Sequence, residues 1–137
     1  HQDDVLAGKQ VYLLRNESKR GLGFFEANNF YPDFILWILD GEKQYITFID
    51  PKGIRNLKGL EDDKIQLFKY LQTEVSSQLG NNHLMLNSFI ISNTPMEQVE
   101  FWLKNPFEKG EFQNNHVLFK DDKGYLETMV NMILQYI

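Results

Sequence analysis

The chain has 137 residues, enough for one compact domain and short for two. Hydrophobic residues make up 42% of it and aromatic residues 14%, which supplies a core and excludes a chain disordered throughout. Cysteine is absent, and with it disulfides, thiolate zinc sites, iron–sulfur clusters and a cysteine nucleophile. No apolar run approaches the ~20 residues of a membrane helix and no leader pattern opens the chain, so a soluble, cytoplasmic domain without membrane partners is expected. The first residue is His1 rather than Met, which suggests a piece of a longer polypeptide. Net charge is −5, a balance that disfavours autonomous binding to polyanions. The charge is unevenly spread: residues 1–70 carry ten basic and eleven acidic side chains, residues 71–137 four and eight. Residues 51–60 hold Lys52, Arg55 and Lys58 and no acid, so an anion-facing surface, if not an ordinary solvated loop, is expected there.

In chain order, Val11–Arg15 reads as a strand, and residues 16–30 as a polar, glycine-containing loop or short irregular strand through Phe24 and Phe25. Phe34–Leu39 is a continuous apolar run of strand length, bounded by Pro32 and by Asp40–Gly41. Tyr45–Asp50 is β-branched and aromatic, with Pro51 and Gly53 expected to stop it. Over residues 61–79 the period changes: Ile65, Phe68, Leu71, Val75 and Leu79 fall on one helical face, with Glu61, Asp62 and Asp63 at the positive end and Gly80 at the close. Leu84–Ile91 is a fourth strand. Thr94-Pro95-Met96-Glu97 is a helix start with a capping box, predicting a helix to about Lys104. Val117–Phe119 is a short strand, and Leu126, Met129, Val130, Ile133 and Ile137 mark a final helix. The order β, β, β, α, β, α, β, α, with two strands nearly apolar throughout, predicts an α/β sandwich with a mixed sheet.

The segment between Tyr31 and Lys52 is a β-hairpin with an acid at the base of each arm. A two-residue loop at Gly41–Glu42 makes opposed residues sum to 83 and sets Asp33 against Asp50; a loop at Asp40–Gly41 sets them diagonally. Either way both carboxylates share a face, with Cβ atoms ~5–8 Å apart. Like charges so placed cost stability, and two compensators are at hand. Lys52, two residues past Asp50, shares its face. A divalent cation could also be held by the two carboxylates and the Pro51 carbonyl, a hard-oxygen set suited to Mg²⁺. Such an ion activates water and neutralises charge on a phosphodiester, and a neighbouring lysine orients that water. Pro-Asp before a strand and Asp-Pro-Lys-Gly after one are also ordinary turn chemistry, so a surface ion pair remains the other reading of the same residues.

Pro32-Asp33, a hydrophobic hairpin, then Asp50-Pro51-Lys52 resembles the signature of the PD-(D/E)xK nuclease superfamily. The wider wording, from Asn29 to Ile38 and from Ile46 to Gly53, resembles the C-terminal nuclease domain of type III restriction endonuclease subunits and related DEAD/DEAH-type helicases. The resemblance spans roughly Val11 to Ile91. It implies a three-layer restriction-endonuclease-like sandwich, one nuclease-like domain over residues 1–137, and a place at the C-terminal end of a longer bacterial polypeptide. It implies Mg²⁺ (or Mn²⁺) held by Asp33, Asp50 and the Pro51 carbonyl, with Lys52 as the catalytic lysine. It also implies DNA as substrate, with helicase or ATPase domains of the same polypeptide and a modification subunit as partners. A catalytically silent domain docking DNA or a subunit with the same fold is the alternative. Two departures stand out: residues 1–10 are too short for the helix that usually precedes the first strand, and no GxxxxGK[ST] loop occurs.

Among secondary candidates, Glu26 could supply a third acid, and Arg55 and Lys58 could hold DNA phosphates. Lys64 and Gln66 open the following helix, near where such sites recruit polar groups. His1, His83 and His116 share no metal-ligand spacing. Trp37 and Trp102 read as packing residues.

Overall fold

A computed structural model describes residues 6–17, 23, 30–52, 59–80, 82–97 and 109–135, with Lys52 described in its backbone only. The fold is mixed α/β, built on one five-stranded mixed sheet of order β1-β2-β3-β4-β5. β1 is Gln10–Arg15, β2 Phe34–Asp40, β3 Lys43–Lys52, β4 Leu84–Ser92 and β5 Val117–Phe119. The first three strands form an antiparallel meander; β3, β4 and β5 run parallel. Helix α1 begins as Leu67–Tyr70, passes through a π segment Leu71–Val75 and closes with Ser76–Leu79. Helix α2 is Lys109–Asn114 and helix α3 is Tyr125–Gln135. Among the described residues no helix is long and apolar enough to cross a membrane.

Strand alternation divides the core in two. One cluster joins Ile35, Phe48, Leu86, Ile90, Val117 and Phe119 to Ile65, Leu67 and Leu71 around α1 and to Phe112 of α2. The other joins Leu36, Ile38, Tyr45, Ile49, Phe89, Ile91 and Leu118 to Met129 and Ile133 of α3. The burial of β4 from Leu86 to Ser92 explains its nearly apolar wording, with Asn87, Ser88 and Ser92 as buried polar residues.

The hairpin takes the Gly41–Glu42 loop, since Asp40 pairs with Lys43 and Phe34 with Ile49. Gly41 has φ +60° while Glu42 keeps a negative φ, the sign pattern of a II′ turn, which requires glycine first. Contrary to expectation, Pro51 does not stop β3, which pairs with β4 as far as Lys52↔Ser92. The Gln44 N–H bonds the His83 carbonyl at the β4 side, and alternation turns the Pro51 nitrogen seven residues later toward β2. Pairing with β2 has ended there, so the missing N–H costs no ladder bond.

The α1 helix also starts later than its periodicity suggests. Asp62 turns the chain instead: its carboxylate accepts the Lys64 N–H (2.9 Å) and its carbonyl those of Ile65 and Gln66. Gly80, at φ +59°, closes the helix as expected. Met96–Glu97 are helical at the capping box, and the rest of that expected helix, Trp102 included, lies outside the described residues, as do Phe24 and Phe25. The α2 helix, Lys109–Asn114, has no counterpart among the elements that periodicity predicts. Leu126, assigned to the buried face of α3, is 44% exposed at the rim of a groove.

Candidate metal centre

The hairpin register puts position 33 opposite position 50, beyond the last β2–β3 pair. Asp50 stands on the α1 side of the sheet, two residues after Phe48, in register with Ile90 of β4. It is 2% exposed. Asp33 is half-buried in the bend before β2, and its backbone N–H donates to Asp50 Oδ1 at 3.0 Å. The two acids are therefore together, joined through the main chain of one and the side chain of the other. One carboxylate accepts the other residue's main-chain N–H, a charge-assisted bond worth about 1.5–3 kcal/mol, which offsets part of the repulsion.

Asn16, just past β1, fixes this bend from the other side. Its Nδ2 donates to the Pro32 carbonyl and its N–H to the Asp33 carbonyl, each at 2.8 Å. At 8% exposed it is a buried polar residue. Nothing local in the sequence marks it, because an asparagine after an apolar strand is among the commonest turn residues and carries no sign of burial.

Backbone alternation points the Pro51 carbonyl, like its nitrogen, toward the space beyond the end of β2, beside Asp33. Lys52 occupies the next strand position, but its side chain lies outside the described residues. So do Glu26, Arg55 and Lys58 entirely. Lys64 sets its ammonium 5.6 Å from the centre of the Phe30 ring, three residues before Asp33. Gln66 is taken up structurally: its Nε2 donates to the Leu60 carbonyl (2.6 Å) and to Asn115 Oδ1 (2.8 Å), tying the start of α1 to the end of α2.

Two carboxylates and a carbonyl make a hard-oxygen set, which suits Mg²⁺ or Mn²⁺ in its donor chemistry. Among the described residues no group of three or more His, Asp or Glu converges for a metal. A third protein acid would have to come from outside them.

His116 is a half-buried titratable group held by aromatic packing. Its ring stacks on Phe68 (3.6 Å between centres) and on Phe89 (4.5 Å), and its Nδ1–H donates to the Ser88 carbonyl at 3.0 Å. Burial pushes its pKa down to about 4; the Ser88 carbonyl opposes this and the Lys69 charge adds to it. His83 pairs loosely with Glu42 at the hairpin tip, 3.9 Å apart and far from the acids along β3. Trp37 is half-buried on β2, its indole nitrogen shielded from solvent.

A groove of about 340 Å³ lies on the opposite face, between β1, β2 and α3. Its walls include Val11, Leu13, Leu36, Ile38 and Met129. It is apolar and holds neither acid. Compared with family models, with curated proteins and with solved structures, the chain gives no match.

Proposed function

We propose that the chain is a metal-dependent endonuclease domain of the PD-(D/E)xK kind, a three-layer restriction-endonuclease-like sandwich. Its reaction is hydrolysis of DNA phosphodiester bonds, within a bacterial restriction or helicase–nuclease polypeptide. The observation that carries the reading is the meeting of Asp33 and a 2%-exposed Asp50 where β3 outruns β2. Asp33, Asp50 and the Pro51 carbonyl would hold Mg²⁺, or Mn²⁺ in its place. When bound, the ion supplies a water of lowered pKa and positive charge beside the scissile phosphate. The Asp33 N–H fixes the Asp50 carboxylate in advance, and Asn16 fixes Asp33, so little ordering is left for the moment of binding. Lys52 orients the attacking water and offsets charge developing on phosphate oxygens. Glu26 is the candidate third acid, and Arg55 and Lys58 the candidate phosphate contacts. With net charge −5, grip on DNA falls to helicase or ATPase domains of the same polypeptide and to a modification subunit.

A second reading has one observation in its favour. A carboxylate that accepts a backbone N–H already has a structural task, which a catalytically silent domain docking DNA or a subunit could keep for that reason alone. Asp50→Asn separates the two, because an amide oxygen still accepts the Asp33 N–H but binds a divalent cation poorly. In calorimetry with Mn²⁺ the nuclease reading expects heat from the native chain and none from the variant. A silent native chain supports the docking domain. In the full-length parent, Asp50→Ala and Lys52→Ala should each lower metal-dependent nicking by at least about a hundredfold. Undiminished nicking removes both residues from the mechanism.

A further inference from the structure

The two edges of the sheet are built differently. β5 is three residues long and wholly buried, a short edge of the kind that resists pairing. β1 is six residues long and exposed throughout: Val11 41%, Tyr12 49%, Leu13 62% and Leu14 45%. It has no proline, and no charge before Arg15, whose guanidinium lies over the Phe34 ring (5.5 Å) rather than guarding the outer side. An edge left so apolar on both faces lacks the usual protection against pairing.

The register says which backbone groups are on offer. The Asn16 N–H bonds the Asp33 carbonyl, so even-numbered residues of β1 face β2. Val11, Leu13 and Arg15 thus present their N–H and C=O groups outward. We propose that β1 pairs antiparallel with β1 of a second copy of this chain across a two-fold axis at Leu13.

Charge selects that axis. In a continuous two-fold sheet, opposed residue numbers have an even sum, because both must lie on the same face. An axis at Tyr12 sets Lys9 against Arg15 of the other copy, a like-charge pair. The axis at Leu13 instead sets Glu17, an exposed acid, against Lys9 at both ends, a lysine whose ammonium also lies 3.9 Å from Asp40 of its own chain. On one face it brings Tyr12 and Leu14 onto Leu14 and Tyr12 of the second copy. On the other it sets Leu13 against Leu13, beside the apolar groove that Val11 and Leu13 wall, and each Val11 against the aliphatic stem of Arg15. Val11–Leu14 is apolar, and Tyr12–Leu14 is self-complementary about Leu13, which is what the centre of an isologous contact requires.

Sedimentation equilibrium of the 137-residue chain tests this. The native chain should be a dimer at sub-millimolar concentration. Leu13→Lys, which places two ammonium groups on the axis at an exposed position, should raise the dissociation constant at least tenfold, while the melting temperature of the diluted, monomeric chain stays unaltered. Glu17→Lys should also weaken the dimer, and adding Lys9→Glu should restore it, a recovery that no other register gives. A native chain that stays monomeric overturns the proposal, leaving the edge bare or for another polypeptide. A dimer indifferent to Leu13→Lys and to the charge swap overturns it equally.

Discussion

Asp50, buried, and His116, half-buried, are both titratable side chains tied to backbone groups, yet their surroundings differ in kind. His116 is closed between two aromatic rings beside β4, and the Ser88 carbonyl takes its Nδ1–H. Asp50 stands where one strand outruns its neighbour, so the carboxylate meets a bend and a second acid instead of a ring. A strand terminus leaves backbone and side-chain oxygens converging with no ladder to absorb them, whereas a stacked ring leaves no room for a ligand. Burial alone therefore does not mark a working group; the way the neighbouring strand ends does.

The strongest break of this contrast is on the histidine side. Phe68→Ala removes the closer ring plate from a 6%-exposed core position and should cost about 3–5 kcal/mol in denaturant unfolding. A loss under about 1 kcal/mol would mean the stack contributes little. The titration of His116 comes next. Its folded pKa of about 4 lies below the ordinary 6.5, so the neutral ring stabilises the fold fully above pH 6.5. That contribution is lost as pH falls from 6.5 toward 4, by about 3 kcal/mol at most. His116→Asn tolerates the residue's φ of +60° and should flatten that limb of the stability–pH curve. An unchanged limb would assign the acid sensitivity to other groups.

A smaller effect is expected at Asn16. Asn16→Ala leaves the Pro32 carbonyl without its buried donor and should cost about 1–3 kcal/mol. On the nuclease reading it should also weaken Mn²⁺ binding, because the Asp33 bend loosens. Ile133→Val in α3, on the other face of the sheet, is the control: about 1 kcal/mol of lost stability with Mn²⁺ binding unchanged. Equal Mn²⁺ affinity in both variants would make Asn16 a stability residue only.

Much of this arrangement is legible in the chain, and the exceptions have physical causes. The order of strands and helices follows from apolar period, and Gly41 between two apolar arms fixes the register that aligns Asp33 with Asp50. Pro51 misleads because a proline forbids a strand only where its N–H is needed, and which side it faces depends on where β2 ends. The α2 helix is hidden because Lys-Gly-Glu-Phe-Gln-Asn has one apolar residue, Phe112, which is wholly buried; a single anchor shows no period. Asn16 is hidden because its role depends on Pro32 and Asp33, sixteen and seventeen residues away. Local pattern finds the acids, but not what holds them.

The smallest stability effect is expected at the most buried charge. Asp50→Asn keeps an oxygen for the Asp33 N–H, gives up charge assistance and relieves repulsion from Asp33, changes that oppose one another. The unfolding free energy should shift by less than about 1 kcal/mol, while Asp50→Ala, which strands the N–H, should cost about 1–3 kcal/mol. Equal and large losses in both variants would mean that the negative charge itself holds the bend. That outcome would make Asp50 resemble His116, a group placed for the fold. A near-silent Asn beside a costly Ala would show that the fold needs only an acceptor at position 50, leaving the charge there for another use.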